Sequence, residues 1–248
     1  MPAPAFTTHC AQINACGRLI QPMTMPSVLE SGRPPQPVRD DLWLFPPNRD
    51  CRGGSSWWLM SDPEPVLIDC PPLTEASLEA LQTLAAGHHP RILLTSREGH
   101  GRIRRLQERL GWPVLVQEQE AYLLPGVHPL ETFQETHTTA AGLRLLWTPG
   151  PSPGSCVVHA PPPWNLLFCG RLLIPVAMGT LAPLRHRRTF HWPRQQQSLT
   201  RLRQWIPADQ SPALASGAGL GALRGERLSP WSNWTDTNAT GEYQGLPS

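Results

Sequence analysis

The chain has 248 residues, enough for one large domain or two small ones, and its 40% hydrophobic content allows a substantial core. It contains no lysine, and its formal net charge of +2 gives no electrostatic reason to expect nucleic acid or an acidic membrane as a partner. Its six cysteines form no C-x-x-C pair, and we find neither a secretory signal nor a membrane-spanning run, so we expect a cytoplasmic protein with free thiols.

Residues 1–38 are rich in Pro, Thr and Ser, show no sustained hydrophobic period, and are predicted to form a flexible N-terminal arm. Two apolar runs at 55–60 and 65–69, joined by a turn-rich link, predict a β-hairpin. Thr74 is a candidate N-cap for a helix over residues 74–86. Further along the chain, hydrophobic periodicity predicts strands over 91–95, 113–117, 143–147, 155–159, 165–169 and 213–215, and helices over 101–110 and 195–205.

The arginines of the predicted helix 101–110 are expected to form a solvated face rather than a nucleic-acid contact. Residues 39–225 are predicted to be one domain, and the Ser-, Asn-, Thr- and Gly-rich residues 226–248 a disordered C-terminal tail. The order of the strands and helices favours an α/β (α+β) architecture, with two sheets packed face to face and helices on the outside.

Three stretches combine apolar strands with glycine and proline at fixed places. They read Leu-Leu-Thr-Ser-Arg-Glu-Gly-His-Gly at 93–101, Trp-Thr-Pro-Gly-Pro-Ser-Pro-Gly-Ser at 147–155 and Leu-Leu-Phe-Cys-Gly-Arg at 166–171. In order and spacing they resemble the metallo-β-lactamase fold superfamily, whose corresponding stretches read roughly T-H-x-H-x-D-H, T-P-G-H-T-P-G-S and L-F-x-G-D. The resemblance covers about residues 42–220 and implies a four-layer αββα sandwich.

In that family two zinc or iron ions, held by imidazoles and a bridging carboxylate, activate a water. The resemblance places other residues at most of the ligand positions of this chain. In chain order they are Ser96 and Glu98 for the first two histidines, Pro151 for the next, Arg171 for the bridging aspartate and Ala218 for the last histidine. His100 matches a ligand histidine, with Gly99 in an aspartate's place, only if the first motif is shortened; without that gap Gly101 takes the slot.

Asp69 closes a predicted strand and matches an aspartate of the family. One interpretation is that the Arg171 cation fills the space of the metals, with Glu98 and Asp69 as its partners, because a buried carboxylate is costly without a partner. The other is that Arg171 is an ordinary surface arginine at a strand end.

Catalysis without a metal has two candidate centres. Ser96, Glu98 and His100 are candidate catalytic residues, because a serine beside a histidine and a carboxylate can support nucleophilic hydrolysis. Cys169, at a strand end, is a candidate nucleophile, and the alternative is that it is inert core packing.

The resulting hypothesis is a metallo-β-lactamase-fold protein with a degenerate metal site, a pseudoenzyme that binds a small anion through Asp69, Glu98, His100 and Arg171, or that binds a protein partner. No cofactor, nucleic acid or membrane is expected. The alternative is a hydrolase of an ester, thioester or phosphoester with a rearranged site that uses zinc or iron. A third possibility is a partner-binding module that uses the proline-rich arm.

Overall fold

Two β-sheets lie face to face in the computed structural model, which describes residues 29–234. The first sheet has seven strands in sequential order, antiparallel from β1 to β4 and parallel from β4 to β7. Its strands are β1 (Gln36–Arg39), β2 (Leu42–Leu44), β3 (Trp57–Leu59), β4 (Val66–Ile68), β5 (Arg91–Leu94), β6 (Val114–Gln117) and β7 (Leu130–Phe133).

The second sheet has five strands in the order β14-β11-β10-β9-β8. Its strands are β8 (Thr136–Thr138), β9 (Arg144–Trp147), β10 (Cys156–Ala160), β11 (Leu166–Gly170) and β14 (Ala213–Ser216). Between β11 and β14 the chain forms a separate two-stranded sheet of β12 (Ile174–Ala177) and β13 (Thr180–Ala182). Strand β14 runs parallel to β11, and the other neighbours are antiparallel.

Helices cover the outer face of each sheet. They are α1 (Glu75–Leu84), α2 (Ile103–Leu110), the short α3 (Glu118–Ala121) and α4 (Trp192–Trp205). As predicted, Thr74 caps α1, its side chain accepting a hydrogen bond from the backbone of Ser77 at 3.2 Å. The helices α1 and α2 pack on the first sheet and α4 on the second, which gives the four-layer αββα sandwich that the sequence predicted.

Successive side chains of a strand point to opposite faces of the sheet, and both faces are apolar here because both are covered by other layers. In β3, Trp57 points into the layer between the sheets while Trp58 packs under α1 and α2. In β11, Phe168 faces the same inner layer, whereas Cys169 faces α4. Strands buried on both faces read as continuous hydrophobic runs, which is how they were found in the sequence.

The ordered fold extends beyond the predicted domain boundaries of 39 and 225. Residues 36–38 of the predicted arm, together with Arg39, form β1 and pair with β2. In the predicted tail, Ser229 exchanges two backbone hydrogen bonds with Leu214 at 2.7 and 3.0 Å, and Trp234 is buried. Sequence composition missed these segments because each is short and is ordered by pairing with distant residues. The rest of the predicted arm and tail, residues 1–28 and 235–248, lies outside the described residues.

The contacts of Trp234 predict that residues 226–234 stabilise the fold. Its ring lies 3.7 Å from the guanidinium carbon of Arg203 and 5.5 Å from the Trp231 ring, and only 4% of the residue is exposed. We expect Trp234→Ala to lower the free energy of unfolding by about 3–5 kcal/mol, the usual cost of removing a buried tryptophan side chain. Denaturant titration, with Ser232→Ala at an exposed position as the control, measures this, and a loss below about 1 kcal/mol contradicts it.

Candidate functional site

Loops that follow five strands meet at one edge of the sandwich. Gly217, after β14, donates a backbone hydrogen bond to Gly170 at 2.9 Å, and Cys156 donates to Thr95 at 2.8 Å. The loop between β2 and β3 closes over this edge, because the backbone of Ser55 donates to the carbonyl of Gly217 at 3.2 Å. The edge therefore gathers the residues that the sequence marked in separate stretches.

Asp69 is the buried centre of this edge. It follows β4 with a φ of 59°, a left-handed conformation that is unusual for a residue other than glycine. Its two carboxylate oxygens accept hydrogen bonds from Thr95, one from the backbone N–H at 2.8 Å and one from the hydroxyl at 2.7 Å. Gly99 passes so close that a Cβ at that position would collide with Oδ1 of Asp69. Asp69 is thus a structural bridge between β4 and β5.

Burial raises the pKa of Asp69 to about 6, although the two hydrogen bonds from Thr95 and the charge of Arg171 act to lower it. Within residues 29–234 no ion pair joins Asp69 to Arg171. The hypothesis that these two residues are partners therefore needs correction: Thr95 satisfies the carboxylate, and Arg171 acts on it only through its electric field.

Arg171 follows β11 and points into the loop between β2 and β3. Its Nη2 donates to the carbonyl oxygen of Cys51 at 2.6 Å, and its Nε lies 3.5 Å from a carboxylate oxygen of Glu98. The Arg171 side chain is only 17% exposed, so it is not an ordinary surface arginine. The Cys51 carbonyl could not be found from the sequence, because a backbone acceptor in a loop carries no residue-type signal.

Glu98 lies between two guanidinium groups. One of its oxygens is 3.5 Å from Nε of Arg171 and the other is 3.7 Å from Nε of Arg52, and its side chain is 18% exposed. Both separations are longer than a good charge-assisted hydrogen bond. We call Arg171, Glu98, Arg52 and the Cys51 carbonyl the Arg171 centre.

His100 and Ser96 do not join this centre. The His100 imidazole is buried, its pKa is lowered to about 4 by burial and by the nearby Arg97 charge, and its Nε2 has no hydrogen-bond partner within the described chain. Ser96 Oγ is likewise buried and unpartnered, so the structure forms no Ser96–His100 hydrogen bond. The catalytic pair that the sequence offered is therefore not assembled.

The cysteine candidate has a structural role. Cys169 is fully buried on the α4 side of the second sheet, where its thiol lies within hydrogen-bonding distance of the carbonyls of Leu173 and Ala215. Burial raises the pKa of this thiol to about 12. A thiol that stays protonated in a packed core is not a nucleophile, so the structure favours inert packing.

The residues at this edge do not fit a dinuclear metal centre. Pro151, Ala218 and Arg171, which the sequence motifs match to family ligand positions, have side chains without a lone pair that can coordinate a cation. The remaining carboxylates are engaged, Asp69 with Thr95 and Glu98 beside two arginines. Within residues 29–234 no group of three or more His, Cys, Asp or Glu side chains is arranged to hold a metal ion.

Comparison with solved structures identifies the architecture. The DIM-1 metallo-β-lactamase exposed to ceftazidime matches with a TM-score of 0.60 at 12% identity, covering 83% of this chain and 94% of that one. A metallo-β-lactamase from Pontibacter korlensis matches with a TM-score of 0.55 at 18% identity, over 77% and 99% of the two chains. The TTHA1623 protein, in a di-iron-bound form, matches with a TM-score of 0.53 at 25% identity, over 71% and 93%.

This chain has the metallo-β-lactamase fold. No family model and no curated protein matches the sequence, so the relationship rests on the structure. In the metallo-β-lactamase fold of this chain, the loops at the edge of the sandwich are held by Asp69 and Arg171.

The raised pKa of Asp69 predicts a distinct pH dependence for this metallo-β-lactamase-fold protein. A folded-state pKa above the unfolded value means that the folded state binds the proton more tightly, so this contribution favours folding in acid and is lost as pH rises from about 4 to above 6. Raising a pKa from 3.8 to about 6 corresponds to about 3 kcal/mol. His100 acts in the opposite sense, because its lowered pKa removes stability as pH falls towards 4.

Comparison with Asp69→Asn isolates the Asp69 contribution, since the histidines are common to both proteins. We expect the unfolding free energy of the parent minus that of the variant to fall by about 3 kcal/mol between pH 4 and pH 7. Urea titrations at a series of pH values measure the difference. A difference that stays constant over this range contradicts the assignment.

The Arg171 centre predicts which contact of Arg171 stabilises the protein. Arg171→Met removes a charge-assisted hydrogen bond to the Cys51 carbonyl and should cost about 1–3 kcal/mol. The looser, partly exposed pair with Glu98 should couple by less than about 1 kcal/mol. A denaturant double-mutant cycle with Glu98→Gln measures that coupling. A coupling above about 2 kcal/mol would instead assign the stabilisation to the ion pair.

Proposed function

We propose that this chain is a binding protein built on the metallo-β-lactamase fold rather than a metal-dependent hydrolase. The observation that carries the proposal is Arg171 at the position of the family's bridging carboxylate, where its guanidinium donates to the Cys51 carbonyl and lies beside Glu98. A fixed cation repels the metal ions that the family chemistry requires. Pro151 and Ala218, which the motifs match to two other ligand positions, offer no side-chain ligand atoms to compensate.

The group that the Arg171 centre recognises is, in this proposal, a carboxylate or a phosphate of a small molecule. The Glu98 carboxylate occupies the position proposed for the ligand's anionic group. It lies 3.5 Å from Arg171 and 3.7 Å from Arg52 and is partly exposed to solvent. A carboxylate held by two guanidinium groups without short hydrogen bonds can be displaced by an external anion of better geometry. His100 and Asp69, which the sequence also assigned to this ligand, lie outside the proposed site: Asp69 is buried against Thr95, and His100 is buried with no partner for Nε2 among the described residues.

Metal content and activity test the first part of the proposal. The purified protein, dialysed against a weak chelator, should hold well under one equivalent of zinc, iron or manganese by elemental analysis. Added zinc or iron should not stimulate hydrolysis of ester, thioester or phosphodiester substrates. Two equivalents of tightly bound metal, or metal-dependent turnover, would establish the hydrolase alternative instead.

Calorimetric titration with acetate and with inorganic phosphate tests the second part. Glu98→Gln should raise the affinity for these anions by about tenfold, because it removes the internal competitor and leaves both guanidinium groups in place. This gain in anion affinity should be absent from the double variant Glu98→Gln/Arg171→Met. Unchanged affinity in Glu98→Gln would show that the Arg171 centre is closed to external anions.

The cytoplasmic location remains a prediction. Among residues 29–234, no helix has the length and hydrophobicity that a membrane span requires.

A further inference from the structure

A second charged region lies on the opposite side of the loop that carries Cys51. It is a cavity of about 820 Å³ between the segment that enters the domain, the residues around Asn48 and the helix α2. Five arginines line it: Arg33, Arg49, Arg102, Arg105 and Arg109. We call it the arginine cavity. Its volume lies in the range of small-molecule binding sites in proteins.

The charges around the arginine cavity do not balance. Three acidic residues, Glu30, Asp50 and Glu108, also line it. Asp50 is paired with Arg102 at 2.9 Å, and Glu108 with Arg104 at 3.0 Å. Glu30 is the remaining acid, and it has no ion pair within residues 29–234.

Four of the five arginines have no acidic partner among the described residues and can contact a ligand. Within the described chain, the side chains of Arg33, Arg49, Arg105 and Arg109 form neither an ion pair nor a hydrogen bond. Four unpaired guanidinium groups facing one concave space repel one another and are neutralised most effectively by an anion of several charges.

The backbone that carries these arginines is fixed on two sides. Residues 30 and 31 accept backbone hydrogen bonds from the first turn of α1, from Glu75 and Ala76, each at 3.0 Å. Gly32 then passes so close to Thr74 that any side chain at that position would collide with it, and its φ of 70° is one that favours glycine. Arg33 is therefore held at the cavity wall by its attachment to the N-terminus of α1.

The other walls are equally well defined. Asn48 is buried; its side chain donates to the Cys70 carbonyl at 2.9 Å and accepts from the backbone of Asp50 at 2.9 Å, which fixes the 3-10 turn that begins at Arg49. Arg102, Arg105 and Arg109 are spaced by three and four residues, so they project from one face of α2. A different face of α2, with Ile103 and Leu106, is buried against the first sheet.

We propose that the arginine cavity binds a small molecule, or an exposed headgroup, that carries two or more phosphate groups. Guanidinium groups match phosphate oxygens with paired N–H donors, and a cluster of them recognises several phosphates at once. The apolar part of the lining consists of aliphatic and proline side chains such as Leu29, Leu73 and Pro46, and it contains no aromatic ring on which a nucleobase could stack. Recognition is thus of the phosphates rather than of a base.

Titration calorimetry with tripolyphosphate on the full-length protein tests the proposal. We expect tripolyphosphate to bind at least about tenfold more tightly than inorganic phosphate at equal ionic strength, because one ligand then contacts several arginines. The double variant Arg105→Gln/Arg109→Gln should lose about tenfold or more of that affinity. Both residues are exposed on α2, so the fold should be retained, which circular dichroism checks.

The matched control is Arg187→Gln/Arg188→Gln, which removes the same charge from an exposed loop that does not line the arginine cavity. It should retain the affinity of the parent within about twofold. Flotation with vesicles that carry a polyphosphorylated inositol headgroup distinguishes a membrane source from a free ligand. Binding in either format, lost in the α2 variant and kept in the control, supports the proposal. Equal losses in both variants, or no binding in either format, overturns it.

Discussion

One buried carboxyl group ties together the loops at the edge of this sandwich. Asp69 follows β4 in a left-handed backbone conformation and accepts hydrogen bonds from both the N–H and the hydroxyl of Thr95, which follows β5. Gly99 packs directly on the carboxyl group, and Gly170 packs on the Thr95 side chain. Asp69 and Thr95 begin the loops that follow β4 and β5, and Gly170 ends β11, so the Asp69–Thr95 contact lies where these three segments meet. The desolvation that raises the pKa of Asp69 is the cost of that arrangement.

The same contact limits what the edge can do chemically. Each oxygen of the buried Asp69 carboxyl group accepts a hydrogen bond from Thr95, Gly99 packs against Oδ1, and the charge of the Arg171 guanidinium acts to lower the pKa of the group. That guanidinium is itself held by a carbonyl oxygen of the loop between β2 and β3. The loops at this edge are thus joined to each other by direct protein contacts, from Thr95 to Asp69 and from Arg171 to the Cys51 carbonyl.

Much of the fold could be predicted from the sequence because its central strands are apolar on both faces. The runs at 91–94, 156–160 and 166–170 stand out by composition alone. The edge strands β7 and β8 were missed, because Leu130–Phe133 and Thr136–Thr138 are short, polar and largely exposed. Their conformation is fixed by pairing with β6 and β9, which is non-local information that a single-sequence pattern does not contain.

The candidate site was predictable in its residue types but not in its contacts. Proline, arginine and alanine at metal-ligand positions could be read directly from the motifs. The sequence did not decide whether Glu98 or Asp69 is the partner of Arg171, because both are carboxylates in loops at the same sheet edge and their contacts depend on the path of the backbone. His100 shows the same limit: its place in the motif predicted a ligand-binding residue, whereas within residues 29–234 its buried imidazole forms neither a hydrogen bond nor an ion pair with Glu98 or Arg171.

A single short loop connects the Arg171 centre with the arginine cavity. Within residues 48–54, Asp50 pairs with Arg102 on the cavity side, the Cys51 carbonyl receives Arg171, and Arg52 approaches Glu98. The loop is closed by backbone hydrogen bonds between Asn48 and both Gly53 and Gly54, at 2.7 and 3.0 Å. The two charged regions are therefore adjacent in the structure, because Asp50 pairs with Arg102 on one side and the carbonyl of the next residue, Cys51, accepts a hydrogen bond from Arg171 on the other.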